Sequence, residues 1–102
     1  MSDYPYKLSS RAKQVLKKLK DKPLLRKYQE TMRDICESPF EGDPKVGDLS
    51  GVYAVGFRYV DGEHRVAYAV VEEDGIEPFV LILLVGTRGN FYEELKRIWN
   101  KH

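Results

Sequence analysis

The order of patterns along this 102-residue sequence predicts an α+β domain. Two stretches with apolar residues at helical spacing come first, three β-rich runs joined by turn dipeptides follow, and a third helical stretch comes last. Residues 1–102 read as a single domain, because globular domains hold about 100 to 150 residues and a split would starve both cores. Hydrophobic residues make up 42% of the chain and aromatic residues 12%, enough to offset the entropy of ordering it. The longest apolar run, residues 79–85, falls far short of the roughly 18 residues a membrane span needs. The first residues carry neither the basic stretch nor the apolar core of a secretory leader. Cys36, the one cysteine, has no partner for an internal disulfide. These features together lead to the expectation of a soluble protein in a reducing cytoplasm, with no membrane partner.

Each element has its own local cause. Residues 4–8 read as a short extended start. Ser9 and Ser10 offer helix N-caps, and Ala12, Val15, Leu16 and Leu19 then recur at helical spacing, predicting a helix to about Lys20. Asp21-Lys22-Pro23 breaks it, and Pro23 suits the first turn of a second helix over residues 23–37. That helix carries the stripe Leu24, Leu25, Tyr28, Met32, Ile35 and Cys36, and the short break folds the pair into a helical hairpin. Residues 38–50, with two prolines and two glycines, predict a loop. Residues 51–60 and 63–71 predict two antiparallel strands around the turn dipeptide Asp61-Gly62. After a second turn at residues 72–75, residues 79–85 are apolar at every position, which predicts a central strand covered on both faces. The sheet is expected to be an antiparallel meander of three to four strands. Asn90 is placed to cap the last helix, with Glu93 as its capping partner and Phe91, Leu95, Ile98 and Trp99 as the buried stripe.

The formal net charge of +1 hides an asymmetry. Residues 1–36 carry ten Lys and Arg against four Asp and Glu; residues 37–102 carry seven against twelve. A basic first half suits a polyanion, because clustered Lys and Arg attract phosphates by releasing counterions, although solvated lysines on amphipathic helices give the same count. The sequence has no Cys/His metal spacing, no Gly-rich phosphate loop and no nucleophile elbow, so neither a metal nor a cofactor is expected. Positive and aromatic residues remain on the last three strands and their exits: Arg58, Arg65, Arg88 and Tyr92. Arg65 interrupts an apolar strand on one face with Ala67 and Ala69, small residues expected to leave that face open. Its guanidinium suits bidentate capture of a phosphate or, equally, an ion pair with Glu63. Arg88 precedes the last helix, whose exposed amides favour anions, and Tyr92 lies in that helix's first turn. His64 is expected to face away from Arg65 and to be structural.

These residues in this order resemble the toxins of the RelE/ParE superfamily from bacterial and archaeal toxin–antitoxin pairs. The matching segments are Pro39-Phe40 followed by Leu49-Ser50-Gly51; Glu63-His-Arg-Val-Ala-Tyr-Ala-Val70, similar to the YoeB branch; and Val85-Gly-Thr-Arg88 leading to Tyr92, closer to RelE. The resemblance implies an N-terminal strand, a helical hairpin, an antiparallel sheet and a C-terminal helix. It also implies an antitoxin partner and a cofactor-free nuclease that cuts mRNA in the ribosomal A site, the RNA 2′-hydroxyl attacking the adjacent phosphate. Arg65 and Arg88 would then hold the phosphate and Tyr92 would stack on or orient the substrate, while Lys13, Lys17 and Lys18 of the first helix, with Arg58, would contact ribosomal RNA. Ala54 and Gly56 stand where RelE-like enzymes carry lysines, and the loop glutamate and near-terminal histidine of YoeB-like enzymes have no counterpart here. A ParE-like gyrase binder, or a relative that keeps only antitoxin binding, would need no such constellation.

Overall fold

The computed structural model describes residues 3–60, 62–87 and 89–100. The elements run β1 (Tyr6–Leu8), α1 (Ser10–Lys18), α2 (Lys22–Glu37), β2 (Asp43–Pro44), a 3₁₀ turn (Gly47–Leu49), β3 (Val52–Tyr59), β4 (Gly62–Val71), β5 (Phe79–Thr87) and α3 (Phe91–Trp99). The expected α+β architecture is realised around a five-stranded sheet in the order β1-β5-β4-β3-β2. The meander β3-β4-β5 is antiparallel as expected. Two further strands enlarge it and make it mixed. β1 pairs in parallel with Val80–Ile82 of β5, and two residues of the expected loop, Asp43 and Pro44, pair with Ala54 and Tyr53.

Local chemistry sets the element ends. The Ser9 hydroxyl accepts from the Ala12 amide at 3.1 Å and donates to the Leu83 carbonyl at 2.7 Å, so one side chain caps α1 and ties it to β5. Asp21 caps α2 through the Leu24 amide, with proline in the first turn. α3 departs from expectation: Asn90 is its N-cap residue without a side-chain cap bond, so the capping box with Glu93 does not form. Glu93 and Glu94 favour that helix end through its dipole instead. The β3–β4 turn comes one residue earlier than Asp61-Gly62 suggests. Gly62 already pairs with Tyr59, and Val60 takes φ +55°.

The sheet buries both faces. Against one lie α1 and α2, with Ala12, Tyr28, Met32 and Ile35 packed on Val66, Tyr68, Val80 and Ile82. Against the other lies α3, with Phe91 and Leu95 on Ala67, Ala69, Leu83 and Leu84. A bulge explains how β5 serves both. Ala67 pairs with Leu84 and Tyr68 with Ile82, leaving Leu83 extra, so Leu83 and its neighbour Leu84 both join the α3 cluster. The uninterrupted apolar run follows from burial on both sides.

Candidate functional site

Arg65 and Tyr92 meet on the α3 face, at the end of the sheet nearest the β3–β4 hairpin. Alternation along β4 puts Arg65 on the side of Ala67 and Ala69, and the first turn of α3 brings Tyr92 over it. Arg65 Nη1 donates to the Tyr92 hydroxyl at 3.1 Å, and Nη2 donates to Glu63 Oε1 at 3.1 Å. The guanidinium carbon lies 5.7 Å from the centre of the Tyr92 ring. The third donor, Nε, is buried without a hydrogen-bond partner among the described residues. The expectation that small neighbours leave this face open is corrected: Ala67 and Ala69 are buried beneath α3. The opening is confined to Arg65, where a cavity of about 340 Å³ is lined by Arg65, Gly89, Phe91 and Tyr92.

Lys45 is a member of this cluster that sequence reasoning missed. Its ammonium lies 5.2 Å from the Tyr92 ring centre and 3.0 Å from Asp43 Oδ2. The Asp43 carboxylate, aided by Tyr92, holds the Lys45 pKa above its ordinary value, so the charge is secure. Lys45 arrives by strand pairing, since its amide donates to the Val52 carbonyl at 2.8 Å just beyond β2. An ammonium thus enters from the strand beside Ala54. Position 56 has no room for a side chain without adjustment, because a Cβ on Gly56 would sit 3.3 Å from the His64 carbonyl and 3.6 Å from a Glu63 oxygen. Only the turn-like composition of residues 38–50 was legible, and it hid the two-residue strand that delivers Lys45.

The other candidates scatter. Arg58 is exposed and in register with Glu63, on the site's face of the sheet. Lys13, Lys17 and Lys18 are exposed on α1, across the sheet from Arg65. Arg88 lies outside the described residues. His64 turns to the helical face as expected, sharing a 2.7 Å hydrogen bond between Nδ1 and the Tyr28 hydroxyl and stacking on Phe57.

Two cations and an aromatic ring around one small opening suit an anion carried on a flat group. Both cations hold exposed carboxylates, Glu63 with 43% and Asp43 with 73% of the side chain accessible. Such pairs are worth at most about 1 kcal/mol, so a phosphate displaces them at little cost. Comparison with known proteins places this cluster in a lineage. Residues 7–96 match the family model described as the ParE-like toxin of the type II bacterial toxin–antitoxin system. The chain belongs to the RelE/ParE superfamily of toxins. Solved members share this fold. A doubly substituted E. coli toxin RelE in the free state is 20% identical, covering 98% of this chain and 97% of its own, with a TM-score of 0.74. The toxin–antitoxin complex RelBE2 from Mycobacterium tuberculosis matches at 24% identity, covering 85% of this chain and 100% of that one, with a TM-score of 0.66. The intact E. coli RelBE complex matches at 21% identity over 84% of this chain and 98% of that one, with a TM-score of 0.66. No curated protein sequence matches. In this RelE/ParE toxin the Arg65–Tyr92–Lys45 cluster is the feature best suited to chemistry.

Proposed function

We propose that this RelE/ParE toxin is a ribosome-dependent, metal-independent mRNA endoribonuclease that stops translation in the cytoplasm. The convergence of Arg65 and Lys45 on the Tyr92 hydroxyl carries this reading. In-line attack by an RNA 2′-hydroxyl needs a protein that orients the strand and neutralises charge growing on the phosphate. Arg65 binds the phosphate through the nitrogens it frees from Glu63, with the unpartnered Nε already in place. Lys45 supplies the second charge, and Tyr92 stacks on a base or orients the nucleotide. Lys13, Lys17 and Lys18 anchor ribosomal RNA from the opposite face, with Arg58 at the sheet end, and an antitoxin restrains the activity. Primer extension on cellular mRNA after induction tests the reading. New 5′ ends are expected with the wild type and are lost with Arg65→Ala and Lys45→Gln while thermal melting is retained. Replacing Lys13, Lys17 and Lys18 together by Gln lowers the log–log salt slope of ribosome binding by about one for each phosphate that is no longer neutralised.

The family model itself favours a second target, since its description is ParE-like. A gyrase-directed toxin would use the helical hairpin and leave mRNA intact. Trapped gyrase–DNA cleavage complexes on induction, with no new mRNA ends in any variant, would move the target from ribosome to gyrase.

A further inference from the structure

Only the first half of β5 is paired on both sides. β1 ends at Leu8 opposite Ile82, and the chain turns there into α1, the Ser9 amide donating to the Ile82 carbonyl at 2.9 Å. Beyond that point residues 84–87 pair with β4 alone among the described residues. Register identifies the groups this leaves open. The Val80 amide donates to Pro5 and the Ile82 carbonyl accepts from Ser9, so both residues turn their backbone polar groups toward β1. The alternation of β4 runs unbroken from Ala69 to Gly62. Leu84 and Gly86 therefore bond to Ala67 and Arg65, and Val85 and Thr87 turn their N–H and C=O outward. They face a slot of about 250 Å³ walled by Arg11 and Val15 of α1 on one side and Phe91 and Glu94 of α3 on the other. An Arg11–Glu94 ion pair joins the two helices at this slot.

We propose that an extended segment of the antitoxin enters this slot and adds a strand to β5 alongside Val85 and Thr87, the Arg11–Glu94 pair serving as a latch that it opens. The inference rests on the toxin–antitoxin reading and is independent of nuclease chemistry. An open strand edge presents donors and acceptors two residues apart, which another extended backbone complements. A second copy of this chain does not fit, because its own strands are joined to a sheet too broad to pass between two helices. A single flexible arm fits. The latch is weak, being an exposed pair, and protects the edge until the partner arrives. An acidic residue on the arm takes Arg11 over from Glu94. Occupation also reaches the candidate site, since Phe91 lines both the slot and the Arg65–Tyr92 cavity.

The test uses isotope-labelled chain co-expressed with unlabelled antitoxin from the adjoining reading frame, read by residue-resolved amide exchange and interchain proton contacts. In the free chain the Leu84 and Gly86 amides are protected and the Thr87 amide exchanges freely. In the complex Val85 and Thr87 gain protection of about tenfold or more, with cross-strand contacts from the antitoxin to both residues. Glu94→Gln, which opens the latch and spares Arg11, tightens the complex about threefold. A complex that leaves Thr87 unprotected, or protects it without cross-strand contacts, overturns the inference and leaves the toxin reading standing. Weaker binding by Glu94→Gln removes the latch. Failure of any complex to form removes the antitoxin reading and this inference with it.

Discussion

The two faces of the sheet are built from the same strands and finished differently. On the helical face the polar groups are closed in pairs: Tyr68 donates to the Pro39 carbonyl at 2.8 Å, Tyr28 shares its hydrogen bond with His64, and Tyr59 donates to Asp21, which also caps α2. Burial holds the Tyr28 and Tyr68 phenols at a pKa of about 12, so both stay protonated. On the α3 face the same strand β4 presents Arg65 with one buried donor unpartnered and its remaining bonds to an exposed carboxylate and a tyrosine. A closed network stabilises and has nothing to offer a ligand. An open one costs stability and keeps bonding capacity in reserve. The contrast assigns stability to one face and recognition to the other.

The most severe way to break the contrast is to excavate the closed face. Ile82 has no exposed surface and packs beneath the helices. Ile82→Ala is expected to cost about 2–5 kcal/mol in chemical denaturation through reduced burial and a residual cavity, lowering Tm by roughly 10 °C or more. A loss under about 1 kcal/mol would mean that this face relaxes freely, contrary to its packing. Arg65→Ala on the other face should change stability by less than about 1 kcal/mol, because it removes a weak ion pair and an unpartnered donor together. The same variant should relieve growth arrest. A melt that collapses with Arg65→Ala would make the guanidinium a structural member of the fold and erase the distinction between the faces.

The legibility of the sequence follows the same division. The helices, the meander and the doubly buried strand were readable because each declares itself through a local period: Ala12, Val15, Leu16 and Leu19 for α1, and seven apolar residues in a row for β5. Arg65 and Tyr92 were readable as candidates because a cation in an apolar strand and a tyrosine at a helix start are local anomalies. Their contact, and the entry of Lys45, depend on pairings between distant segments. β2 has two residues and no periodicity at all, and β1 is fixed by parallel pairing with a strand more than seventy residues away. The covering of Ala67 and Ala69 was missed because small side chains signal space without saying whether a helix fills it. The bulge at Leu83 was likewise hidden, since an all-apolar run reads identically in either register.

The hairpin turn shared by both faces offers a smaller, stabilising change. Val60 holds φ +55°, a conformation that a β-branched residue tolerates poorly, and its side chain is 83% exposed. Val60→Asn relieves the crowding and sacrifices no packing, so a gain of about 1 kcal/mol is expected. The gain should be the same in wild-type and Arg65→Ala backgrounds, since the two positions share no partner. A gain that differs between the backgrounds would show that the turn communicates with the site.

The finest test concerns the one histidine within the closed face. His64 packs flat on Phe57 and against the edges of Tyr28 and Tyr59, and desolvation lowers its pKa below the ordinary histidine value while Asp21 partly opposes the shift. A lowered folded pKa means that, between the folded and unfolded values, the unfolded chain binds more protons. The contribution of His64 to stability is therefore complete above the ordinary value near pH 6.5. It declines as pH falls toward the folded value and is constant below it. Thermal melts from pH 8 to pH 5 should show the wild type losing stability through this window. His64→Gln, which keeps an acceptor for Tyr28 without a titrating group, should lose less over the same interval. The effect is expected to be the smallest of the four, because the imidazole is only partly buried and Asp21 counters part of the desolvation. Parallel pH profiles for the two proteins would show that His64 gains its proton as readily in the fold as outside it, and that this corner of the helical face is less closed than its hydrogen bonds indicate.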